Sequence, residues 1–303
     1  MRYKWMIVLV VLICFASFTV KAMSSHPKNV KGDYEVINYN GNNNIQLIKK
    51  FNIPQFKNTK RDILVYLPTD YQQSQKRYPV LYMHDAQNLF TIDSANYGGW
   101  KVNKTIDELV RKNQSSGAIV VGVYNDGSNR VEEYSPWEYE SPYFQVKNPL
   151  GDEYIKFIIN DLKPYIDQNY RTLAAREHTG IAGSSMGGLI SFYAGIKYQS
   201  VFSKVGVFSP YFITKKEKIK QAYIDAKEIS KKQDMKFYFY VGGQEFGDEN
   251  YDEKYVEATV EMYELLKRVG FSKEELKLDV DQKAIHNEKY WAKYFSKAFR
   301  WLY

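Results

Sequence analysis

Short runs of apolar residues alternate along the chain with longer segments in which apolar residues recur every three or four positions. The short runs predict strands, and several are apolar throughout, as expected of strands buried on both faces of a sheet. These runs lie at residues 62–68, 79–84, 118–124, 179–184, 236–241 and 276–280. The periodic segments predict helices at residues 100–112, 152–169, 186–197, 251–269 and 288–302. Because strands and helices alternate, the pattern predicts an α/β fold, with a mostly parallel, doubly wound sheet flanked by helices.

The beginning of the chain has a different character from the rest. Residues 1–22 start with basic residues, continue with an apolar run and end on a small residue, which is typical of a secretory signal peptide. A membrane anchor is the competing interpretation, and a lipoprotein is disfavoured because Ile13 precedes Cys14. Residues 23–45 are polar and predict a loose lead-in, and residues 46–303 predict a single domain. We therefore expect a secreted or periplasmic protein.

Charge and cysteine content narrow the possible functions. The formal net charge is +7, and the leader contributes three positive charges and no acid, which leaves +4 (7 − 3). No basic stripe stands out, so nucleic acid is not expected as a partner. The only cysteine, Cys14, lies in the leader, so the mature chain is expected to lack disulfides and thiolate chemistry. Neither a metal nor another cofactor is expected.

Residues 183–187 read Gly-Ser-Ser-Met-Gly and follow a predicted strand. They match G-x-S-x-G, the motif that places a serine on a sharp turn between a strand and a helix. Glycine is needed on both sides because larger side chains would collide at such a turn. The motif alone is weak evidence, since clusters of Gly and Ser also mark ordinary turns. With a base and an acid nearby, it predicts Ser185 as the nucleophile of a hydrolase or acyltransferase.

A serine nucleophile needs a histidine base, and the histidine needs an acid that orients it. His286 follows the last predicted strand, so it lies at the edge of the sheet where strands end and sites form. It also follows Ser185 in the chain, which fits the order serine, acid, histidine. The acid is then expected after the strand at 236–241. Glu245 is favoured there, and Asp248 is the alternative.

A tetrahedral intermediate also needs two backbone N–H donors, the oxyanion hole. Met186, the residue after the nucleophile, is expected to supply one of them. The other is expected from the loop that follows the second predicted strand, where Ala86 or Gln87 is the candidate. His84 and Asp85 precede these residues and are expected to shape the loop through hydrogen bonds rather than to take part in the chemistry.

Several segments, in this order, resemble the putative esterase family of α/β-hydrolases. That family includes enterochelin esterases, feruloyl and acetylxylan esterase domains, S-formylglutathione hydrolase and mycolyltransferases. The matching segments are 78–90, 99–100, 125–137, 180–189, 207–210, 242–245 and 286–291. The resemblance implies an α/β-hydrolase fold, no metal, and a triad of Ser185, Glu245 and His286. One departure is Ala86, where relatives commonly have glycine.

The resemblance also points to the long irregular stretch at residues 124–150. Part of it matches a recurring segment of the enterochelin-esterase-like branch, which implies contact with the substrate. The predicted contacts are Asn125, Arg130, Tyr134 and Trp137. A guanidinium such as that of Arg130 can bind a carboxylate or phenolate through two hydrogen bonds. The alternative is that Arg130 pairs with Glu133 and holds the loop.

Together these features predict a serine esterase that forms an acyl-enzyme on Ser185 and releases it with water. Siderophore-type esters, acyl groups linked to glycans and simple acyl esters all fit as substrates. An acyltransferase of the same fold is one alternative, and a non-catalytic siderophore- or glycan-binding protein is another. A peptidase of the prolyl-oligopeptidase type is disfavoured because the chain leaves no room for its propeller domain.

Overall fold

The computed structural model describes residues 34–57, 59–90, 99–141, 143–213 and 233–303, and a nine-stranded sheet forms its centre. The strands, in chain order, are β1 (Val36–Tyr39), β2 (Asn42–Ile53), β3 (Thr59–Tyr66), β4 (Val80–His84), β5 (Ile119–Val123), β6 (Tyr139–Glu140), β7 (Gln145–Val146), β8 (Thr179–Ser185), β9 (Lys204–Pro210), β10 (Lys236–Gly242) and β11 (Leu276–Asp281). The spatial order of the main sheet is β1-β2-β3-β5-β4-β8-β9-β10-β11, and β6 and β7 form a separate hairpin.

Helices cover both faces of this sheet. They are α1 (Val102–Arg111), α2 (Arg130–Glu133), α3 (Gly151–Phe157), α4 (Lys163–Asn169), α5 (Met186–Lys197), α6 (Glu249–Arg268) and α7 (Glu288–Leu302). A π-helical stretch, Ile158–Leu162, joins α3 to α4, so the helix predicted at 152–169 forms as one element. Apolar residues of α3 to α6 pack in one core cluster and those of α1 and α7 in another. The predicted doubly wound α/β arrangement in a single domain is confirmed.

Strand direction divides the sheet into two parts. From β5 to β11 along the sheet, neighbouring strands are parallel, whereas β1, β2 and β3 are attached to this block in antiparallel fashion. The parallel strands β4, β8, β9, β10 and β11 therefore all end at the same edge. The loops that follow them carry the predicted nucleophile, acid, base and oxyanion donors, so the topology gathers the candidate residues at this edge.

Two features of the sheet differ from the sequence prediction. β1 and the first part of β2 lie within residues 23–45, so the boundary of the domain lies at or before Val36 rather than at residue 46. These strands form the outer edge of the sheet. β1 is short and largely exposed, and β2 begins with polar residues, so the pattern of apolar runs does not detect them. β9 was also not predicted as a strand. Gly206 interrupts its apolar run, and a methyl group there would lie 2.8 Å from the Cβ of Ala182 on β8.

The predicted signal peptide at residues 1–22 lies outside the described residues. Among the residues that are described, no helix is both long enough and apolar enough to span a bilayer.

Candidate active site

Ser185 is the last residue of β8 and directly precedes α5, so it occupies a strand-to-helix turn. Its backbone has φ 58° and ψ −123°, a combination that residues with side chains rarely adopt. Close packing explains the glycines around it. A methyl group on Gly183 would lie 2.8 Å from the backbone of Gly187, and one on Gly187 would lie 3.3 Å from Oδ2 of Asp85. This is the geometry that the G-x-S-x-G motif requires.

Glu245 and His286 form a directly hydrogen-bonded pair. Nδ1 of His286 lies 2.6 Å from Oε2 of Glu245, whose side chain is 0% exposed. A carboxylate can only accept, so Nδ1 carries the proton and Nε2 is left as the basic nitrogen of the neutral ring. The two loops are also joined by backbone hydrogen bonds, from His286 N to Glu245 O at 3.0 Å and from Gln244 N to Ala284 O at 2.9 Å.

The second carboxylate oxygen of Glu245 has its own partners. Oε1 accepts hydrogen bonds from Ser209 Oγ and from the backbone N–H of Gly242, each at 2.6 Å. Ser209 Oγ in turn accepts a hydrogen bond from Trp291 Nε1 at 3.0 Å. Sequence patterns did not single out Ser209 or Trp291. Both lie inside segments that resemble the esterase family, and this was the one signal that could have found them.

The alternative acid, Asp248, has a different position and partner. It precedes α6, and its Oδ1 accepts a hydrogen bond from the backbone N–H of Tyr251 at 3.0 Å, so it caps that helix. Of the two candidate acids, it is Glu245 that meets His286. The geometry therefore favours the first choice of acid over the second.

The predicted oxyanion loop follows β4 directly. Ala86, Gln87 and Asn88 form a single 3-10 turn, and Ala86 is fully buried. The side chain of Gln87 pairs with the backbone of Asn125, accepting from its N–H at 3.2 Å and donating to its carbonyl at 3.4 Å. Met186 is the first residue of α5. Backbone N–H groups in the first turn of a helix have no acceptor within the helix, so they are suited to meet a developing anion.

His84 and Asp85 fix the shape of this loop. His84 Nδ1 is hydrogen-bonded to the hydroxyl of Tyr154 at 2.9 Å, and burial lowers the pKa of His84 to about 3. Asp85 accepts from Asn125 Nδ2 at 2.7 Å and binds Arg130 through both carboxylate oxygens. Burial alone would raise the pKa of Asp85, but the Arg130 guanidinium outweighs it and holds that pKa below its usual value. Both side chains are therefore engaged in hydrogen bonds around the loop, as expected of residues that shape it.

Two of the predicted substrate contacts, Arg130 and Tyr134, are hydrogen-bonded to Asp85. Arg130 is engaged with Asp85, and the alternative pairing of Arg130 with Glu133 is wrong, because Glu133 binds Arg61 at 2.5 Å. Tyr134 has 0% exposure and accepts a hydrogen bond from the backbone N–H of Asp85, so its burial argues against a contact with substrate.

Asn125 and Trp137 are the remaining predicted contacts. Asn125 is bound to Asp85 and to the backbone of Gly127, so it supports the loop from within. Trp137 is half-buried, with its ring edge-on to Tyr193 at 5.9 Å. Their contact with substrate stays a prediction. Within the described part of the chain, no group of three or more His, Cys, Asp or Glu side chains is arranged to hold a metal ion.

The family model described as "putative esterase" matches residues 55–302. The chain belongs to the putative esterase family. One curated protein that is similar to this esterase is the uncharacterized protein YbbA of Bacillus subtilis. The two are 26% identical over 262 residues, which are 84% of this chain and 97% of that protein. Membership of the family supports carboxylic ester hydrolysis as the activity, and the predicted family is confirmed.

Solved structures share the fold of this esterase. The siderophore hydrolase EstA of Aspergillus nidulans has a TM-score of 0.69 at 16% identity, covering 87% of this chain and 94% of its own. A ferulic acid esterase has a TM-score of 0.60 at 20% identity, covering 85% of this chain and 97% of its own. These likenesses identify the fold as that of α/β-hydrolase esterases.

Proposed function

We propose that this protein is a serine esterase in which Ser185 is the nucleophile, His286 the base and Glu245 the acid. The observation that carries this proposal is the 2.6 Å contact between His286 Nδ1 and the fully buried carboxylate of Glu245. This contact lies at the edge of the sheet where Ser185 occupies its strained turn. A histidine bound to a buried carboxylate is oriented and stabilised for proton transfer.

The first half of the reaction forms an acyl-enzyme. Nε2 of His286 takes the proton of Ser185 Oγ as that oxygen attacks the ester carbonyl, and Glu245 stabilises the resulting imidazolium. The carbonyl oxygen becomes an anion and accepts hydrogen bonds from the N–H groups of Met186 and Gln87. Each such donor lowers the barrier by roughly 2.7–4 kcal/mol. His286 then gives its proton to the departing alcohol, and the acyl group stays on Ser185.

The second half of the reaction repeats these steps with water as the nucleophile. His286 removes a proton from the water as it attacks the acyl-enzyme, and returns the proton to Ser185 Oγ when the carboxylic acid leaves. A binding protein without chemistry would not need a serine in a strained turn at the same edge of the sheet as an oriented histidine. The strained serine and the oriented histidine therefore support an enzyme over a binder.

Aromatic rings beside the base support an ester that carries an aromatic ring or a sugar. The ring of Phe246 stacks on the imidazole of His286, with centroids 5.0 Å apart, and Phe246 is 43% exposed. Phe246 also contacts Tyr251, which meets Tyr143, a residue that is 67% exposed. Flat exposed rings favour aromatic groups and sugar faces. We propose siderophore-type or glycan-linked acyl esters as substrates, handled outside the cytoplasm if the predicted leader directs export.

Replacement of the nucleophile tests this proposal. Ser185→Ala is expected to abolish hydrolysis of p-nitrophenyl acetate and labelling by a fluorophosphonate, while circular dichroism stays native. Ser203→Ala is the matched control. Ser203 is also buried, but it directly precedes β9, at the edge of the sheet opposite to the candidate site. Its Oγ donates a hydrogen bond to the carbonyl of Arg176 at 2.8 Å. Turnover retained by Ser185→Ala would exclude Ser185 as the nucleophile.

The same assay separates the alternatives. An acyltransferase would pass the acyl group to an added alcohol, so mass spectrometry would find transfer products in excess of the free acid. A non-catalytic binder would neither turn over esters nor take the fluorophosphonate label. A panel of siderophore, feruloylated, acetylated and simple acyl esters, ranked by kcat/KM, then identifies the substrate class.

A further inference from the structure

We propose that Ser209 is a positioning residue, which holds the acid Glu245 against His286 through a one-way chain of hydrogen bonds that starts at Trp291. The proposal rests on the proposed triad. Ser209 lies near the carboxyl end of β9, two strands along the sheet from β4 and one strand from the nucleophile on β8. It is fully buried, so it is not itself accessible to substrate.

The two oxygens of the Glu245 carboxylate have separate tasks. Oε2 faces His286 Nδ1 at 2.6 Å, and Oε1 accepts from Ser209 Oγ and from the N–H of Gly242, both at 2.6 Å. The side chain is 0% exposed, so these groups replace the water that would otherwise solvate the charge. One of these three contacts comes from the base His286 and another from the backbone of Gly242. The third comes from the side chain of Ser209.

The direction of the chain is determined by chemistry. An indole Nε1 only donates, so Ser209 Oγ accepts the bond from Trp291 at 3.0 Å. Ser209 has a single hydroxyl proton, and the carboxylate of Glu245 can only accept. The proton of Ser209 therefore points at Oε1, in a short charge-assisted bond whose direction Trp291 fixes.

The backbone of Ser209 is held in a conformation that serves this contact. Its φ is +38°, in the region that residues with a side chain rarely adopt. The hydroxyl of Tyr255 donates to the Ser209 carbonyl at 2.8 Å and so helps to hold this conformation. Strained residues of this kind persist where the surroundings fix them, and they cluster at functional sites. Here the strained residue lies directly against the acid of the triad.

The expected consequence concerns the orientation of the base. Without the Ser209 hydroxyl, Oε1 keeps only the N–H of Gly242, and the carboxylate is free to rotate away from His286. An imidazole that loses its oriented partner spends less time in the tautomer and pose that accept the proton of Ser185. Such a loss lowers kcat, whereas binding of the ester, which Ser209 does not touch, stays nearly unchanged.

The experiment compares Ser209→Ala with Ser203→Ala in the full-length protein. Ser209→Ala is expected to lower kcat for p-nitrophenyl acetate by about 10- to 100-fold, the loss that follows when residues orienting a metal-bound histidine are removed, with KM nearly unchanged. The low-field proton resonance of the His286 Nδ1–H should move upfield in Ser209→Ala and stay in place in Ser203→Ala. Ser209→Thr, which keeps the hydroxyl, should recover much of the rate if it folds.

Variants of the first donor test the chain itself. Trp291→Phe keeps a ring against His286 but removes the Nε1 donor, so it should lower kcat less than Ser209→Ala. In the double variant, Trp291→Phe should add nothing to the loss caused by Ser209→Ala, because its effect passes through that hydroxyl. If Ser209→Ala does not fold, Tyr255→Phe and Trp291→Phe provide the same readouts from either side of Ser209.

Two results would overturn the proposal. One is a wild-type kcat and an unshifted His286 resonance in folded Ser209→Ala. The other is independent, multiplying losses from Ser209→Ala and Trp291→Phe. Either result leaves the proposed function intact as long as Ser185→Ala is inactive. Activity retained in Ser185→Ala would instead remove the triad on which the role of Ser209 depends.

Discussion

Arg130 binds both carboxylate oxygens of Asp85, through Nε at 2.7 Å and through Nη2 at 2.8 Å. The pair lies directly behind Ala86 and Gln87, the candidate oxyanion loop, with side-chain exposures of 25% for Arg130 and 11% for Asp85. Removing one member of a buried pair leaves the other charge unpaired. We expect Arg130→Met to lower the free energy of unfolding by about 3 kcal/mol, at the lower end for such pairs because Arg130 is partly exposed. Urea denaturation measures this loss, and Arg130→Met/Asp85→Asn should recover part of it.

Kinetics of the same variant separate support of the loop from contact with substrate. If Arg130 acts through Asp85, then Arg130→Met lowers kcat equally for a neutral and an anionic ester of the same alcohol. A rise in KM confined to the anionic ester would instead assign Arg130 to substrate binding, one of the two roles left open by the sequence.

The two glycines of the serine turn are expected to differ in their tolerance of a methyl group. The methyl of Gly183→Ala would meet the backbone of Gly187 at 2.8 Å, which cannot yield, whereas that of Gly187→Ala would meet Asp85 Oδ2 at 3.3 Å. We expect losses in unfolding free energy of about 3 kcal/mol for Gly183→Ala and about 1 kcal/mol for Gly187→Ala, the range of overpacked sites. Denaturation curves check both values, and the reverse ranking would contradict the packing described here.

A matched pair of substitutions identifies the acid. Glu245→Gln keeps the size of the side chain but offers His286 an amide, and it is expected to lower kcat by up to about 10⁴-fold, as in other triads. Asp248→Asn should leave both kcat and stability unchanged, since asparagine caps a helix as well as aspartate does. Steady-state kinetics on both variants decide between them, and a larger loss at Asp248 would make that residue the acid.

Burial of His84 predicts how stability depends on pH. The folded protein holds the pKa of His84 at about 3, whereas the ordinary value is 6.5. Below about pH 6.5 the unfolded chain therefore binds a proton that the folded protein does not, and stability falls with acidification until about pH 3. One such proton is worth about 1.4 kcal/mol per pH unit.

The variant His84→Gln tests this dependence. It removes the titration, so the decline in unfolding free energy between about pH 6 and about pH 4 should be shallower than in the wild type by about 1.4 kcal/mol per unit. Urea denaturation at several pH values provides the comparison. An unchanged slope would show that His84 becomes protonated in the folded protein as easily as in the unfolded chain.

Much of the parallel sheet could be predicted from the sequence, because strands such as β4 and β5 are nearly continuous apolar runs, buried throughout, and helices separate them. The outer strands could not be predicted in this way. β2 alternates exposed and buried residues and begins with three asparagines, so its place in the sheet depends on pairing with β3 rather than on its own pattern. β9 was missed because Gly206 weakens its pattern, and the close approach of Ala182 that requires a glycine is visible only in the folded chain.

In the candidate site, too, some residues could be predicted from the sequence and some contacts could not. Ser185 and His286 follow from a local motif and from chain order, which are properties of the sequence. The partner of Arg130 does not, because Asp85 lies 45 residues earlier in the chain and the two meet only when β4 and the loop after β5 are neighbours in the sheet. The contact of Ser209 with Glu245 likewise joins the carboxyl end of β9 to the loop after β10, and no local pattern encodes it.

The backbone bonds between the acid loop and the base loop restrict how the site can move. Because Glu245 O is bonded to His286 N and Gln244 N to Ala284 O, a shift of one loop carries the other with it. The distance between Glu245 and His286 is thereby preserved when either loop shifts. A bulky substrate is then expected to be accommodated by elements other than these two loops. In the proposed mechanism, the pair of Glu245 and His286 is then the rigid reference against which Ser185 and the ester are aligned.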